Sequence, residues 1–208
     1  MSINIKKNYK NPILEAKKER TVVIVKPDGV KRGLVGEIIR RFEKAGLKIV
    51  ALKMVKPTKE HYRLHYPSSD KWFKKVGEKT LETYKKYGIN AKKELGTTNK
   101  IKIGKMIKEW TVKFMTSGPV VAMILEGPHA IDNVRMIVGP TLPVFAPPGT
   151  IRGDFSVDSP AIANTLKRPV KNIIHASGDK KEAENEIKLW FAPEEIYSYE
   201  RAEEKIMF

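Results

Sequence analysis

The stretch Asn172-Ile173-Ile174-His175-Ala176-Ser177-Gly178-Asp179 decides how the rest of the chain is interpreted. Its apolar residues predict a strand that ends at the histidine, and its Ser-Gly-Asp sequence predicts a turn. Asp179 and Glu182 have the spacing of a capping box, and apolar residues at helical spacing follow them. The histidine is therefore expected at the end of a strand, close to a helix N-terminus that favours anions.

The composition narrows the class of protein. The chain has 208 residues, of which 41% are hydrophobic, and this is enough for one globular domain. It has no cysteine, which excludes disulfides, a thiolate nucleophile and a cysteine-ligated zinc site. No apolar run approaches the roughly 20 residues that cross a bilayer, and no apolar segment follows the lysine-rich N-terminus as it would in a secretory signal. We therefore expect a cytoplasmic protein that does not associate with membranes.

The charge is strongly basic and unevenly distributed. The formal net charge is +16, and residues 71–113 alone contain 13 Lys against four Glu. Such a field attracts polyanions, whether nucleotides, nucleic acid or an acidic membrane surface. A solvated, lysine-rich surface explains the same composition, and charge alone does not decide between these interpretations.

The apolar patterns predict the element order β-α-β-α-β-α-β-α. Strands are predicted over 20–26, 48–55, 118–126 and 172–176, whereas residues 71–113 keep only a predicted helix over 103–114. The order favours an α+β fold, in which helices pack on one face of a four-stranded antiparallel sheet in a split β-α-β arrangement. A parallel doubly wound sheet is the alternative, but it needs longer helical crossovers.

Two arginines stand out in a chain where lysine dominates. Arg152 lies in Pro148–Asp154, where two glycines allow the backbone to approach a ligand closely. Arg135 ends a predicted helix, and a guanidinium can bind phosphate through two parallel N–H donors. Residues 140–171 form a long, proline-rich connection, and such connections usually serve a function. A surface ion pair remains the alternative for a loop arginine.

His175 is the candidate nucleophile among four histidines. The other three, His61, His65 and His129, are interpreted as surface or core residues. A neutral imidazole is nucleophilic near neutral pH, but only one ring nitrogen can attack, and an acceptor must hold the other. Glu186 on the following helix is the candidate acceptor, although its spacing equally fits a solvated helix face. P-loop and dinucleotide fingerprints are missing, so a phosphate site must be built differently.

Five segments together resemble the nucleoside diphosphate kinase family. The resemblance covers about 20–76 and 110–201, and it is specific because the segments occur together and in order. The loop between Phe155 and Asn172 is longer than in animal members and similar to archaeal ones. The segments are Lys26–Val30 with Arg32–Ile39, Ser117–Met123, Pro148–Phe155, Asn172–Ser177 and Glu186–Phe191.

The resemblance implies a ferredoxin-like fold and a ping-pong kinase reaction. A γ-phosphoryl group passes from ATP or another nucleoside triphosphate to a nucleoside diphosphate through a phosphohistidine at His175. Lys26 and Glu186 are implied as the other catalytic residues, with Ser177 supporting the glutamate. Mg²⁺ is the implied cofactor, held by the nucleotide phosphates without a protein ligand. The implied substrate-binding residues are Lys26, Tyr66, Trp72, Arg135, Thr141, Arg152 and Asn172.

The base would be held by stacking alone, because stacking tolerates any π-face. The family's stacking position falls on Trp72 rather than Phe73, and ordinary packing under a loop is the alternative for this tryptophan. The family also implies a homo-oligomer, either a hexamer or a tetramer.

Two regions depart from the family. The chain divides into an N-terminal extension over 1–19 and a kinase domain over 20–208, and the domain carries a basic insertion at about 77–109. The insertion fits a surface hairpin or helix, an assembly element or a polyanion-binding patch. Nucleic-acid binding is the competing function, but charge is its only support, and no strand carries an RNA-binding aromatic motif.

Overall fold

The computed structural model describes residues 19–207. Within them, four strands form one antiparallel sheet in the order β2-β3-β1-β4. This order confirms the predicted four-stranded ferredoxin-like α+β fold, and the parallel alternative is wrong. The strands are β1 (Glu19–Val25), β2 (Lys48–Val55), β3 (Val120–Gly127) and β4 (Ile174–Ala176).

Helices fill the connections between the strands. Short 3₁₀ turns at Pro143–Phe145 and Pro193–Glu195 complete the regular structure of the described residues. The helices are α1 (Pro27–Lys31), α2 (Val35–Lys44), α3 (Lys59–His65), α4 (Asp70–Lys86), α5 (Ala91–Leu95), α6 (Lys100–Met115), α7 (Ala130–Val138), α8 (Ile151–Phe155), α9 (Pro160–Thr165), α10 (Lys180–Trp190) and α11 (Glu204–Met207).

Helices cover both faces of the sheet, so the prediction of helices on one face is wrong. On β1, Val23 packs into a core that includes Phe42 of α2. Its neighbour Ile24 packs into a second core on the opposite face, with Tyr62 of α3 and Trp190 of α10. The physical reason is the continuous apolar run in β1, because a strand without polar alternation must be buried on both faces.

The lysine-rich segment that was predicted to be an insertion lies within a helical hairpin. We use "the hairpin" for residues 70–115, in which α4 packs against α6 and α5 connects them. Added Cβ atoms at Gly77 and Gly104 would lie 1.9 Å and 2.1 Å from backbone oxygens of the opposite helix. These glycines therefore allow two backbones to approach closely. The sequence predicted only the second helix, because Gly77 resembles a break when its packing partner is unknown.

Glu19, the last residue of the predicted N-terminal extension, belongs to the sheet. This residue begins β1, and its carboxylate accepts a hydrogen bond from the backbone N–H of Ile131 (3.0 Å). The rest of the predicted extension, residues 1–18, lies outside the described residues. Among residues 19–207, no helix combines the length and apolar character needed to cross a membrane.

Candidate active site

A pocket of about 800 Å³ brings most of the predicted site residues together. It lies beside β4, whose His175 pairs with Ile24 of β1. Of the nine predicted site residues, seven line this pocket. They are Lys26, Tyr66, Arg135, Thr141, Arg152, Asn172 and His175.

The imidazole of His175 is held from behind by a carboxylate. Its Nε2 lies 2.8 Å and 3.0 Å from the two carboxylate oxygens of Glu186 on α10. The hydroxyl of Ser177 donates to the same carboxylate (2.7 Å) and accepts from the backbone N–H of Val22 (3.1 Å). A carboxylate can only accept, so Nε2 carries the proton. Nδ1 is therefore the unprotonated nitrogen, and it has no partner among the described residues.

The surroundings keep this imidazole neutral. Burial lowers the pKa of His175 well below its usual value, and the nearby charges of Lys26 and Arg152 lower it further. Burial also raises the pKa of Glu186. A nitrogen nucleophile requires a neutral ring with an available lone pair, and His175 meets this requirement at Nδ1.

Lys26 places a buried ammonium at the edge of the pocket. It follows β1 directly and stands at the N-cap of α1, with 7% of its surface exposed. Its Nζ donates to Oδ1 of Asn172 (2.6 Å), and the amide of that asparagine donates to the carbonyl of Thr141 (2.8 Å). Burial, helped by Arg152, lowers the pKa of Lys26 to about 8. The ammonium has three N–H donors, so two of them remain for a ligand.

A strained turn sets the approach to His175. Ile173 has φ = +70°, and the N–H of Ile174 donates to the carbonyl of Asn172 (2.7 Å), which closes a γ-turn. The N–H of Ile173 donates to Asp28 (3.0 Å), and its carbonyl accepts from the N–H of Lys26 (2.8 Å). A β-branched residue at positive φ is costly, and such strain concentrates at functional sites.

Arg152 is anchored by the backbone. Its guanidinium donates to the carbonyls of Gly139 (2.8 Å), Asn172 (3.3 Å) and Ile174 (2.7 Å). Burial lowers the pKa of Arg152 to about 10, which leaves it charged at neutral pH. Five N–H donors with three carbonyl partners leave two for a ligand. The sequence predicts a loop at Arg152, but the residue stands in α8, two residues after the Thr150 N-cap.

Arg135 and Thr141 are the solvent-exposed residues among the predicted site residues that line the pocket. Both are exposed, and Arg135, on the last turn of α7, has no protein partner among the described residues. Between them Gly139 has φ = +83°, and an added Cβ would lie 2.6 Å from the hydroxyl of Thr150. Only glycine suits this position, because the chain must turn there while remaining close to α8.

Tyr66 stands in the pocket wall, whereas Trp72 lies just outside it. The Tyr66 ring is perpendicular to the His175 ring at 6.4 Å between centroids, and the Trp72 ring is tilted by 30° to Tyr66 at 5.9 Å. Trp72 is half-buried, while Phe73 is 7% exposed and packs inside the hairpin. Of these two neighbours, Trp72 is thus the one that can still reach a ligand.

His65 is a residue whose place near the site the sequence did not indicate. Its ring contacts that of His175 at 4.5 Å, and its Nδ1 accepts from the indole N–H of Trp190 (3.1 Å). Its Nε2 lies 3.5 Å from Glu186 and has no hydrogen-bond partner among residues 19–207. No sequence signal marked it, because it meets Trp190 across 125 residues of chain.

Potential metal ligands of His65, His175 and Glu186 lie within 4.8 Å of one another. Their tautomers argue against a metal. Because an indole N–H donates to Nδ1 of His65, the neutral ring carries its proton on Nε2, where a metal would need a lone pair. Burial lowers the pKa of His65 and keeps the ring neutral. We therefore interpret the cluster as a support for His175, in which Glu186 accepts a hydrogen bond from its ring and His65 packs against it.

Glu182 is the second residue that the sequence did not assign to the site. Its backbone N–H donates to Asp179 (2.9 Å), as the capping-box spacing predicted. Its carboxylate instead accepts from the N–H of Gly178 (2.8 Å) and forms part of the pocket wall. Burial and the neighbouring Glu186 raise the pKa of Glu182. A capping glutamate is usually solvated, so spacing alone could not place it beside the pocket.

Known proteins resemble this chain along most of its length. The family model described as nucleoside diphosphate kinase matches residues 19–84 and 83–196. A nucleoside diphosphate kinase from Pyrobaculum aerophilum is 54% identical over 178 residues, which cover 86% of this chain and 97% of that protein.

Two solved structures extend the comparison. A crystal structure of an NDP kinase from Pyrobaculum aerophilum has a TM-score of 0.85 at 52% identity, covering 87% of this chain and 100% of that one. A transition-state mimic of the enzyme from Borrelia burgdorferi, with bound vanadate and ADP, has a TM-score of 0.71 at 34% identity, covering 89% and 94%. The chain belongs to the nucleoside diphosphate kinase family, and it is a phosphotransferase that moves a phosphoryl group between nucleotides.

Proposed function

We propose that Nδ1 of His175 is the atom that accepts the phosphoryl group in this kinase reaction. One observation carries the assignment. Glu186 holds Nε2 at 2.8 Å, so the proton is fixed there and the lone pair of Nδ1 remains available on a wall of the pocket. Burial keeps the pKa of His175 low, so the ring is ready to attack at neutral pH.

The proposed transfer proceeds in two balanced steps. The Nδ1 lone pair forms a bond to the γ-phosphorus while the bond from that phosphorus to the bridging oxygen breaks, and the nucleoside diphosphate leaves with the electron pair. A terminal oxygen of a second nucleoside diphosphate then attacks the phosphorus and breaks the N–P bond. Glu186 offsets the positive charge that the ring gains on phosphorylation, because its carboxylate stays hydrogen-bonded to the Nε2 proton.

Three cations are proposed to hold the phosphates. Lys26 and Arg152 each keep two N–H donors without protein partners, and both are fixed by hydrogen bonds to the chain. Arg135 keeps all its donors and stands exposed at the entrance. Fixed, partly buried donors stabilise charge that develops on transferring oxygens, because they need little reorganisation. We assign Lys26 and Arg152 to the transferring phosphate and Arg135 to an outer phosphate.

The proposed sugar and base contacts use features common to all nucleotides, namely the ribose and phosphate oxygens and the flat face of the base. The amide of Asn172 and the hydroxyl of Thr141 stand on the pocket wall and can bond a ribose or a phosphate oxygen. Tyr66 and Trp72 offer aromatic surface beside the pocket, and stacking does not distinguish one base from another. These contacts suit an enzyme that accepts many nucleotides.

The family depends on a divalent cation, and we propose Mg²⁺ for this chain. The donor set fits a hydrated ion carried by the nucleotide, because two carboxylates, Asp132 and Glu182, share the pocket wall with the cations. We propose that they hold its water ligands. When bound, Mg²⁺ supplies charge neutralisation on the phosphate oxygens.

Labelling tests the nucleophile. Wild-type protein incubated with γ-³²P-ATP and Mg²⁺ is expected to take up label that is acid-labile and alkali-stable, as a phosphohistidine is, and to lose it on addition of a nucleoside diphosphate. His175→Gln should take up none. His129→Asn is the matched control, because His129 is exposed at φ = +48°, which asparagine tolerates. Label retained by His175→Gln would refute the assignment.

Assembly, location and nucleic-acid binding stay predictions. A hexamer or tetramer rests on the family alone, and sedimentation velocity would measure the mass. The cytoplasmic location rests on the composition. The basic hairpin is the one feature that favours nucleic-acid binding, and a salt-dependent binding constant measured with and without residues 77–109 would test it.

A further inference from the structure

We propose that Lys108 is a positioning residue for the kinase site, acting from the hairpin on the segment that carries Tyr66. The inference rests on the proposed function, because it concerns the pocket in which His175 receives phosphate. It gives the basic insertion a role in the kinase reaction that its charge does not suggest.

Lys108 is buried, and its ammonium is fully occupied by one short segment. Only 5% of the residue is exposed. Its Nζ donates to the carbonyls of Arg63 (3.1 Å), Tyr66 (3.0 Å) and Pro67 (3.3 Å) and to the hydroxyl of Ser68 (2.6 Å). Three N–H donors therefore serve four oxygens, and none is left for solvent or a ligand.

The segment needs such a donor because α3 ends there. In a continuing helix, the carbonyl of Arg63 would accept from the N–H of residue 67, but Pro67 has no N–H. Tyr66 has already left the helix, with φ = −106° and ψ = +143°. Lys108 supplies the missing donor, and its positive charge stands at the negative end of the helix. The hairpin thus provides a cap that the local sequence cannot provide.

This cap lies next to the pocket. Tyr66, whose carbonyl is held, forms part of the pocket wall, and its ring contacts both His175 and Trp72. The preceding residue, His65, packs against the His175 ring at 4.5 Å. Loss of the ammonium would free the backbone that carries these two rings. Small displacements at a phosphoryl-transfer site lower the rate strongly, because the reacting atoms must be in line.

The other lysines of the hairpin allow the effect of its charge to be separated from the effect of the Lys108 contacts. Lys102 stands on the same helix as Lys108, but it is exposed, and its ammonium has no partner among residues 19–207. Lysines of this kind are solvated, whereas Lys108 bonds to the chain. The two lysines therefore form a matched pair for mutation, with equal charge loss and different contacts.

The test compares Lys108→Met with Lys102→Met in the full-length protein. Both are assayed with ATP and a nucleoside diphosphate at a temperature where circular dichroism shows them folded. We expect Lys108→Met to lower kcat/KM and the single-turnover rate of His175 labelling about tenfold, and Lys102→Met to match the wild type. Lys108→Arg, which keeps the charge and the donors, should recover most of the loss.

Other results would overturn the proposal. If Lys108→Met melts earlier but keeps wild-type kinetics, Lys108 only stabilises the fold. If Lys108→Met does not fold, Lys108→Gln replaces it, because its shorter, neutral amide has two N–H donors and cannot serve all the oxygens that the ammonium holds; unchanged kinetics in that variant would equally refute positioning. A wild-type protein that takes no label on His175 would refute the proposed function instead, so the two failures are distinguishable.

Discussion

Among residues 19–207, the pocket and the hairpin each bury one lysine, and the two ammonium groups differ in how many partners they have. Lys26 in the pocket donates to one side chain, that of Asn172. Lys108 in the hairpin donates to four oxygens of a single segment. Buried ammonium groups that lack partners are costly, so a protein keeps one only where a ligand completes it. The partner count thus separates a lysine with donors left for a ligand from a lysine whose donors all hold the chain.

The arginines follow the same rule. Arg152 has three carbonyl partners and two free donors, whereas Arg135 is exposed and has no partner within the part of the chain that the structure describes. Partial anchoring fixes a donor in place while leaving it able to bind. The following predictions test whether the number of partners predicts the effect of each substitution on activity or on stability.

Lys26→Met should have the largest effect, and it should fall on activity. Removal of a fixed donor from a transition-state site typically lowers the rate by about 10²–10³-fold, so we expect this loss in kcat/KM. The free energy of unfolding should stay within about 1 kcal/mol of the wild type, because burial already disfavours the charged form of Lys26. Urea denaturation measures the free energy of unfolding and steady-state kinetics measure kcat/KM, with the exposed Lys31→Met as the control. A large loss of stability with unchanged activity would show that Lys26 holds the fold and does not bind the substrate.

Gly77→Ala should lower the stability of the fold. Any effect on activity should be indirect, because the residue contacts the pocket only through the hairpin. An added Cβ would lie 1.9 Å from the carbonyl oxygen of Lys100, so the helices must separate. We expect the free energy of unfolding to fall by about 2 kcal/mol. Gly36→Ala is the control, because Gly36 is helical with nothing within 4 Å of its Cβ position, and it should be neutral or slightly stabilising. Equal stability of the two variants would show that α4 and α6 do not pack as described.

The pH dependence of kcat/KM should reveal the partly paired lysine. Burial lowers the pKa of Lys26 to about 8, so a rise in pH through 8 removes its proton and its attraction for phosphate. We expect kcat/KM to fall up to about tenfold per pH unit between pH 8 and 9.5, below the pKa of about 10 of Arg152. Lys26→Arg should abolish this decline, because a guanidinium stays charged there. A decline that persists in Lys26→Arg would have another origin.

Arg135→Lys should have the smallest effect. The substitution keeps the charge and removes the planar pair of donors, at a side chain that no other described residue anchors. We expect KM for the nucleotide to rise about fivefold with little change in kcat. Arg152→Lys, measured in parallel, should also lose stability, because three carbonyl oxygens lose their fixed donors. Identical behaviour of the two variants would contradict the distinction between outer and anchored arginines.

Much of the fold could be predicted because its signals are local. The β-branched run of β1, the cap at Asp179 and the turn before it lie within a few residues of one another. The spacing of His175 and Glu186 fitted a solvated glutamate equally well, and only the resemblance implied their pairing, which the structure shows at 2.8 Å. The prediction that helices cover one face of the sheet was wrong. The apolar run of β1 was interpreted as a buried strand, but not as evidence for helices on both faces.

The sequence by itself determined the four strands and the family, and through the family resemblance seven of the residues that line the pocket, because each depends on neighbouring residues or on motifs in order. Only the tertiary structure decided which cations keep free donors, since sequence patterns mark neither the backbone carbonyls that bind Arg152 nor the contact of Lys26 with the Asn172 side chain. It also decided that His65 supports the site and that Lys108 caps α3, because both contacts join segments more than 40 residues apart. Contacts of that range are set by packing, and packing exists only once the chain is folded.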